Sequence, residues 1–155
     1  MKKILFGLFS FVCFNVNSQP STYIGGGLGI SSKQALAGEI TGGIEFNRII
    51  VQGNIISHID NVVNNQLAIS VKTGWRWVVV DEKDIEITGG IAYNMYSSVL
   101  SINKLSPAVS ISYVHSVFGQ SNRNKYQTGQ VYTSLHYIRN TVIASVGLRL
   151  HISKY

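Results

Sequence analysis

The segment Gln66-Leu67-Ala68-Ile69-Ser70-Val71-Lys72-Thr73-Gly74-Trp75-Arg76-Trp77-Val78-Val79 decides the fold of this chain. Leu67, Ile69, Val71, Thr73, Trp75 and Trp77 occupy every second position, with Ala68, Ser70, Lys72, Gly74 and Arg76 between them. Side chains on a strand alternate between two faces, so the segment reads as a strand with one apolar face and one small or polar face. A helix would instead place its apolar residues three and four apart.

The same alternation recurs on both sides. Eight runs carry it, at about 22–31, 36–46, 49–58, 66–79, 85–97, 106–116, 129–138 and 141–152. In the fifth, Ile85, Ile87, Ile91, Tyr93 and Met95 oppose Glu86, Thr88, Gly90 and Asn94; in the eighth, Val142, Ala144, Val146, Leu148, Leu150 and Ile152 oppose Thr141, Ser145, Gly147, Arg149 and His151. Glycines within the runs, as in Gly25-Gly26-Gly27-Leu28-Gly29, argue against helix. Register supplies a separate check. A two-residue hairpin at Asn47-Arg48 pairs Phe46 with Ile49, Ile44 with Val51 and Thr41 with Asn54. One at Arg139-Asn140 pairs Tyr137 with Val142, Leu135 with Ala144 and Gln130 with Arg149. Apolar meets apolar and polar meets polar, and a one-residue slip would break both matches.

The N-terminus reads differently. Lys2 and Lys3 precede the apolar run Ile4 to Phe14 and a polar exit, the layout of a secretory signal peptide. Val16 and Ser18 are small enough for cleavage after Ser18, so 1–18 is expected to be a signal peptide and 19–155 one domain. Phe11 and Val12 before Cys13 do not suit a lipobox. Removal of 1–18 would leave 137 residues without cysteine, carrying 11 basic and 7 acidic side chains. Stability then cannot come from disulfides, and thiolate chemistry is excluded.

Composition bears on solvent. Of the 155 residues only 13% are charged, about half the usual share of a soluble domain, while 45% are hydrophobic. A soluble lipocalin-like barrel has an apolar interior and a charged exterior; a membrane barrel is inverted. The polar strand faces carry Glu39, Glu45 and Glu86 against Lys72, Arg76 and Arg149, three of each sign. A balanced set suits a narrow closed lumen, where unpaired charge is costly, and Arg76 is expected to pair with Glu86 across a turn near 81–84. On the apolar faces, Phe46, Trp75, Trp77 and Tyr113 fall near strand ends that share one rim, and Tyr93 and Tyr137 fall towards the other. Amphipathic rings at both interfaces form the girdles of a membrane barrel. The fold expected is therefore all-β, an eight-stranded antiparallel up-and-down transmembrane barrel.

With its signal peptide, eight alternating strands, cysteine-free mature chain and final Tyr155, the sequence resembles the small outer-membrane β-barrel proteins of the OmpA/OmpX type. The resemblance is one of pattern and covers the mature chain. It implies an outer-membrane location, outer-membrane lipid as surroundings, and the barrel-assembly machinery as a partner in biogenesis. It also implies a structural or surface-interaction role, with an extracellular partner at the outer loops. Tyr155 departs from the family in having the parity of the lumen face. With both termini on the periplasmic side, 31–36, 59–65 and 98–105 read as outer loops, and 47–48 and 80–84 as inner turns. The connection 117–128 is long where a turn is due, and 139–140 is short where a loop is due.

Chemistry finds little support. Some small barrels of this setting modify lipid A, and an enzyme of that kind is the alternative reading. His151-Ile152-Ser153 resembles the deacylase spacing but lies at the wrong end of the barrel and lacks a downstream carboxylate. His58 with Asp60, and His115 with Ser116, read as solvated or strand-end pairs; His136 reads as a lumen hydrogen-bonder. Four scattered histidines without cysteine make no metal site, and no cofactor is expected. Arg123-Asn124-Lys125 reads as a polar loop, and no aromatic-basic motif supports nucleic-acid binding. An internal echo joins Glu39-Ile40-Thr41-Gly42-Gly43-Ile44 to Glu86-Ile87-Thr88-Gly89-Gly90-Ile91, read as convergence on a good strand pattern.

Overall fold

A computed structural model describes residues 20–32, 36–58, 66–80, 83–96, 104–122, 125–138 and 140–154. Eight strands follow in chain order: β1 (Ser21–Ser31), β2 (Leu36–Phe46), β3 (Ile49–His58), β4 (Gln66–Val80), β5 (Lys83–Tyr96), β6 (Lys104–Asn122), β7 (Lys125–Ile138) and β8 (Thr141–Lys154). Each pairs antiparallel with its sequence neighbour, and β8 returns to β1 to close the barrel.

Both hairpin registers read from the sequence are present: Phe46 faces Ile49 and Thr41 faces Asn54, while Tyr137 faces Val142 and Gln130 faces Arg149. Asn47 and Asn140 adopt left-handed backbone, with φ of 61° and 59°. Asparagine tolerates that region because its short side chain hydrogen-bonds locally.

The strand boundaries differ from expectation chiefly in the second half. Most of 117–128 is strand, because β6 runs on to Asn122 and β7 begins at Lys125. A register shift between Ser116 and Phe118 hides this extension. The extra residue changes the phase of alternation, so Val117 and Phe118 are both exposed and the period-2 signal stops there. The connection that looked too long for a turn is two residues, 123–124. The short link at 139–140 is as brief as it looked.

Polarity is inverted relative to a soluble barrel. Ile24, Leu28, Ile30, Ile40, Val71 and Leu148 are all more than half exposed, while Lys72, Glu86, Asn54 and His136 are each 1% exposed. The lipocalin-like alternative has the opposite arrangement.

Two adjacent glycines in β5 show how tightly the wall is wound. A Cβ on Gly90 would meet the Val71 carbonyl oxygen and lie 2.8 Å from Lys72 Cα, whereas one on Gly89 would meet nothing within 4 Å. Gly90→Ala is expected to cost about 1–3 kcal/mol through overpacking. Gly89→Ala should be neutral, or stabilising by about 0.5–1 kcal/mol. Urea titration of the barrel in lipid vesicles, followed by Trp75 and Trp77 fluorescence, separates the two; equal effects would contradict this packing.

Candidate functional site: the barrel interior

Lumen-facing positions come from every strand, and their contents change along the barrel axis. At the loop-side end, Ala37, Ile56, Ala68, Ala92, Ala108, Ile138 and Ile143 form one buried apolar cluster, one residue from each of seven strands. On the eighth strand, β1, Ser31 lies opposite Ile143. The alternation of strand faces does not anticipate this layer. Its trace in the sequence is the doublets Ile55-Ile56, Tyr137-Ile138 and Val142-Ile143, where both faces of a strand are apolar at once.

Beneath it lies a first polar cluster around Glu39. Asn54 Nδ2 donates to Glu39 Oε1 at 2.6 Å, and Ser145 Oγ donates to Oε2 at 2.8 Å. His136 Nε2 lies 3.2 Å from the same Oε2. The Lys72 ammonium donates to Ser110 Oγ at 2.8 Å and faces His136 Nδ1 at 3.3 Å. An ammonium only donates, so His136 Nδ1 is the acceptor and the ring proton sits on Nε2. Lys72 thus reaches Glu39 through the His136 ring.

A second cluster lies nearer the turn-side end. Glu86 is forked between two guanidinium groups: Arg76 Nε and Nη2 reach Oε1 at 2.9 and 2.6 Å, and Arg149 Nη2 and Nη1 reach Oε1 and Oε2 at 2.5 and 2.9 Å. Arg76 Nη1 also meets Glu45 Oε2 at 2.5 Å, and Asp84 Oδ2 stands 3.9 Å from Arg76 Nε. Arg149 Nε donates to Gln130 Oε1 at 2.7 Å, and its guanidinium carbon lies 4.5 Å from the Tyr23 ring centre. His151 Nε2 sits 3.0 Å from Ser21 Oγ and 3.2 Å from Glu45 Oε2.

All six charges singled out in the sequence face the interior, but in two groups. Arg76, Arg149, Glu86 and Glu45 are in direct contact, with Arg76 opposite Glu86 across the β4–β5 hairpin. Glu39 and Lys72 belong to the other group. Asp84, taken for a turn residue, is in β5 and adds a carboxylate to the lower group. Tyr23 and Gln130 complete that group; their position on the lumen-facing parity of β1 and β7 was the available signal. His151 is a lumen residue, held by Ser21 and Glu45. The side chain of His58, and Asp60, lie outside the described residues, as do residues 1–18 and Tyr155.

Phe46, Trp75, Trp77, Tyr93, Tyr113 and Tyr137 all occupy outward-facing positions. Trp77, Tyr93, Tyr113 and Tyr137 are 45, 39, 42 and 43% exposed. Phe46, Trp75, Trp77 and Tyr113 lie towards the turn side, and Tyr93 and Tyr137 towards the loops. Tyr137 donates its hydroxyl to Asn140 Oδ1 at 2.8 Å.

One constellation merits a chemical test. Ser134 Oγ is 2.7 Å from His136 Nε2, and Glu39 is close by. In a nucleophilic relay the serine and the acid hold opposite ring nitrogens. Here both approach Nε2, which carries the proton, and Lys72 occupies Nδ1. The histidine cannot take a proton from Ser134 in this arrangement, and Ser134 and His136 are only 4% and 1% exposed. Among the described residues no three His, Cys, Asp or Glu side chains are grouped to hold a metal ion.

No protein-family model matches the sequence, and no curated protein does. Solved structures do. The N-terminal β-barrel domain of Pseudomonas aeruginosa OprF superposes with a TM-score of 0.60 at 10% identity, over 87% of this chain and 99% of that one. A de novo designed transmembrane β-barrel gives 0.56 at 10% identity, over 86% and 95%. The designed barrel TMB2.3 gives 0.54 at 14% identity, over 85% and 92%. The fold is that of the small eight-stranded transmembrane β-barrels, as the OmpA/OmpX-like pattern implied.

The Glu86 fork carries a measurable consequence. Glu86→Gln removes the negative charge that bridges the buried Arg76 and Arg149 guanidinium groups, and is expected to cost about 3–5 kcal/mol, as for a broken buried ion pair. Lys83→Gln, at an exposed position, should change stability by less than about 0.5 kcal/mol. Urea titration of both variants in vesicles decides whether the fork stabilises the barrel.

Proposed function

We propose that this chain is a small outer-membrane β-barrel protein, exported by its N-terminal segment, whose barrel is a non-catalytic scaffold with a filled lumen. The observation that carries the reading is the inverted polarity: apolar side chains cover the outer wall, while charges of both signs are bonded to one another inside. An eight-stranded barrel has an interior just wide enough for side chains to fill. The apolar layer at the loop-side end and the two polar clusters beneath it support a lumen closed to steady solute flow. The connections after Ser31, His58 and Tyr96 would then be held on a rigid wall, available to an extracellular partner or serving the envelope alone. Biogenesis would use the barrel-assembly machinery and the surroundings would be outer-membrane lipid. The blocked Ser134–His136 geometry argues against hydrolysis of lipid A.

The test combines fractionation with two measurements. The protein should enter the outer-membrane fraction and migrate differently on gels before and after boiling. In planar bilayers it should give no stable single-channel conductance. Extraction into buffer without detergent would overturn the membrane assignment, stable conductance would overturn the filled lumen, and lipid A altered between knockout and overexpressing cells would restore the enzyme.

A further inference from the structure

On the outer wall, where β7, β8 and β1 lie side by side, the apolar surface is hollowed into a trough of about 670 Å³. The short outward side chains of Thr133 and Ala144 form its floor. Leu135 rises on one side, Val146 and Ile30 on the other, and Tyr113 stands at its foot. None of the described residues that line it is charged. The strands beneath are paired, Thr133 with Val146 and Ala144 with Leu135 and Ile30, so the trough offers no free main-chain edge.

The direction of the trough follows from the register. From Thr133 the floor steps across to β8 opposite Val146 and two residues up to Ala144. The same step from Ala144, two residues up to Val142 and across to β1, reaches Ser32. Each step moves about 4.8 Å sideways and about 6.7 Å along a strand. The strands themselves lean: a row of paired residues that leaves β1 at Ser21 returns to it at Ser31, which sets a tilt of roughly 40°. The lean and the sideways step cancel, so Thr133, Ala144 and Ser32 stand one above another along the barrel axis. The line is roughly 16 Å long and lies in the loop-side half of the wall. That is the depth of one leaflet, half of a hydrocarbon core about 30 Å thick.

Direction, length and lining together point to hydrocarbon. An extended acyl chain runs along the membrane normal, crosses one leaflet and brings no polar group that needs a partner. A second copy of the barrel fits poorly. Two barrels inserted the same way round are related by a two-fold axis along the membrane normal, and such an isologous contact sets one patch against itself. Trough would face trough, and the space between them would stay unfilled.

We propose that the Thr133–Ala144 trough seats one acyl chain of a loop-side-leaflet lipid and holds it more firmly than the rest of the wall does. The proposal rests on the membrane-barrel reading above. In the trough the chain meets the floor and both sides, where a flat wall touches it on one side only, and dispersion contacts add with number. The headgroup would lie at the loop-side end, beyond Ser32.

Native mass spectrometry of the barrel in detergent micelles containing dimyristoylphosphatidylcholine tests this. The wild-type protein should carry one lipid per barrel, and dihexanoylphosphatidylcholine, with the same headgroup and short chains, should not be retained. Ala144→Leu fills the floor and should lower the bound fraction roughly tenfold; Thr133→Leu is an independent route to the same loss. Gly89→Leu adds bulk to the β5 wall, where a Cβ meets nothing within 4 Å, and should leave retention unchanged. Heat-modifiable migration is read on the same samples. Its absence in the wild type would overturn the membrane-barrel reading and the proposal with it, whereas its presence without bound lipid would overturn the trough alone. Equal retention by the Ala144→Leu, Thr133→Leu and Gly89→Leu barrels, retention of the short-chain lipid, or a dimer that Ala144→Leu disperses would also overturn the proposal.

Discussion

Closure of the barrel between β1 and β8 is the condition on which the rest depends. A sheet in hydrocarbon cannot leave a row of N–H and C=O groups unpaired, since each would cost several kcal/mol. Thr22 to Ser31 therefore pair with Ile143 to Ile152 along the full height of the wall. The two strands approach closely because the lumen-facing positions of β1 include Gly25, Gly27 and Gly29. A Cβ on Gly25 would lie 2.9 Å from Arg149 Cα, and one on Gly29 would lie 2.9 Å from Ser145 Cβ. The space saved is used at once. The Tyr132 hydroxyl lies 2.9 Å from where a Gly27 Cβ would stand, and the Tyr23 ring sits similarly against Gly43.

Once the wall is closed, what fills it follows from the geometry of a narrow tube. Each buried charge needs a partner, and here neighbouring side chains supply it. The lower cluster meets this demand with planar groups that can bond twice, Arg76 and Arg149 on Glu86. The upper cluster joins a point charge to a carboxylate through His136, whose two ring nitrogens span the gap that Lys72 does not cross directly. The apolar layer at the loop-side end needs no partners at all.

How much of this was legible depended on period two. Strand number, both tight hairpins, the outward aromatics and the pairing of Arg76 with Glu86 all follow from alternation and turn length, which are local properties. The signal failed where alternation was interrupted. The bulge after Ser116 shifted the phase and concealed the end of β6, and the doublets Ile55-Ile56, Tyr137-Ile138 and Val142-Ile143 hid apolar residues on the interior face. Nor does alternation say which lumen residues meet across the tube. Glu39 and Ser145 are 106 positions apart yet bonded, because β2 and β8 flank β1 and both look inward over it. That separation of the six charges into two groups is a property of height along the axis, and height is set by the stagger of the closed sheet.

The repeated hexapeptide gains meaning at this point. Glu39-Ile40-Thr41-Gly42-Gly43-Ile44 lies in β2 and Glu86-Ile87-Thr88-Gly89-Gly90-Ile91 in β5. β2 runs from the loop side to the turn side and β5 runs the other way, so the first residue of each copy falls at an opposite end of the polar lumen. Each glutamate is the acceptor centre of its own cluster, and each threonine two positions on is a buried lumen residue bonded nearby, Thr41 to Asn54 and Gln52, Thr88 to Ser110. The following glycine on the same face makes way for a neighbour: Gly43 for the Tyr23 ring, Gly90 for the backbone at Lys72. A carboxylate, a small hydroxyl and a gap on alternate positions therefore serve the same purpose in both strands. Each cluster gains a carboxylate with room beside it, and convergence on that arrangement suffices to explain the repeat without duplication.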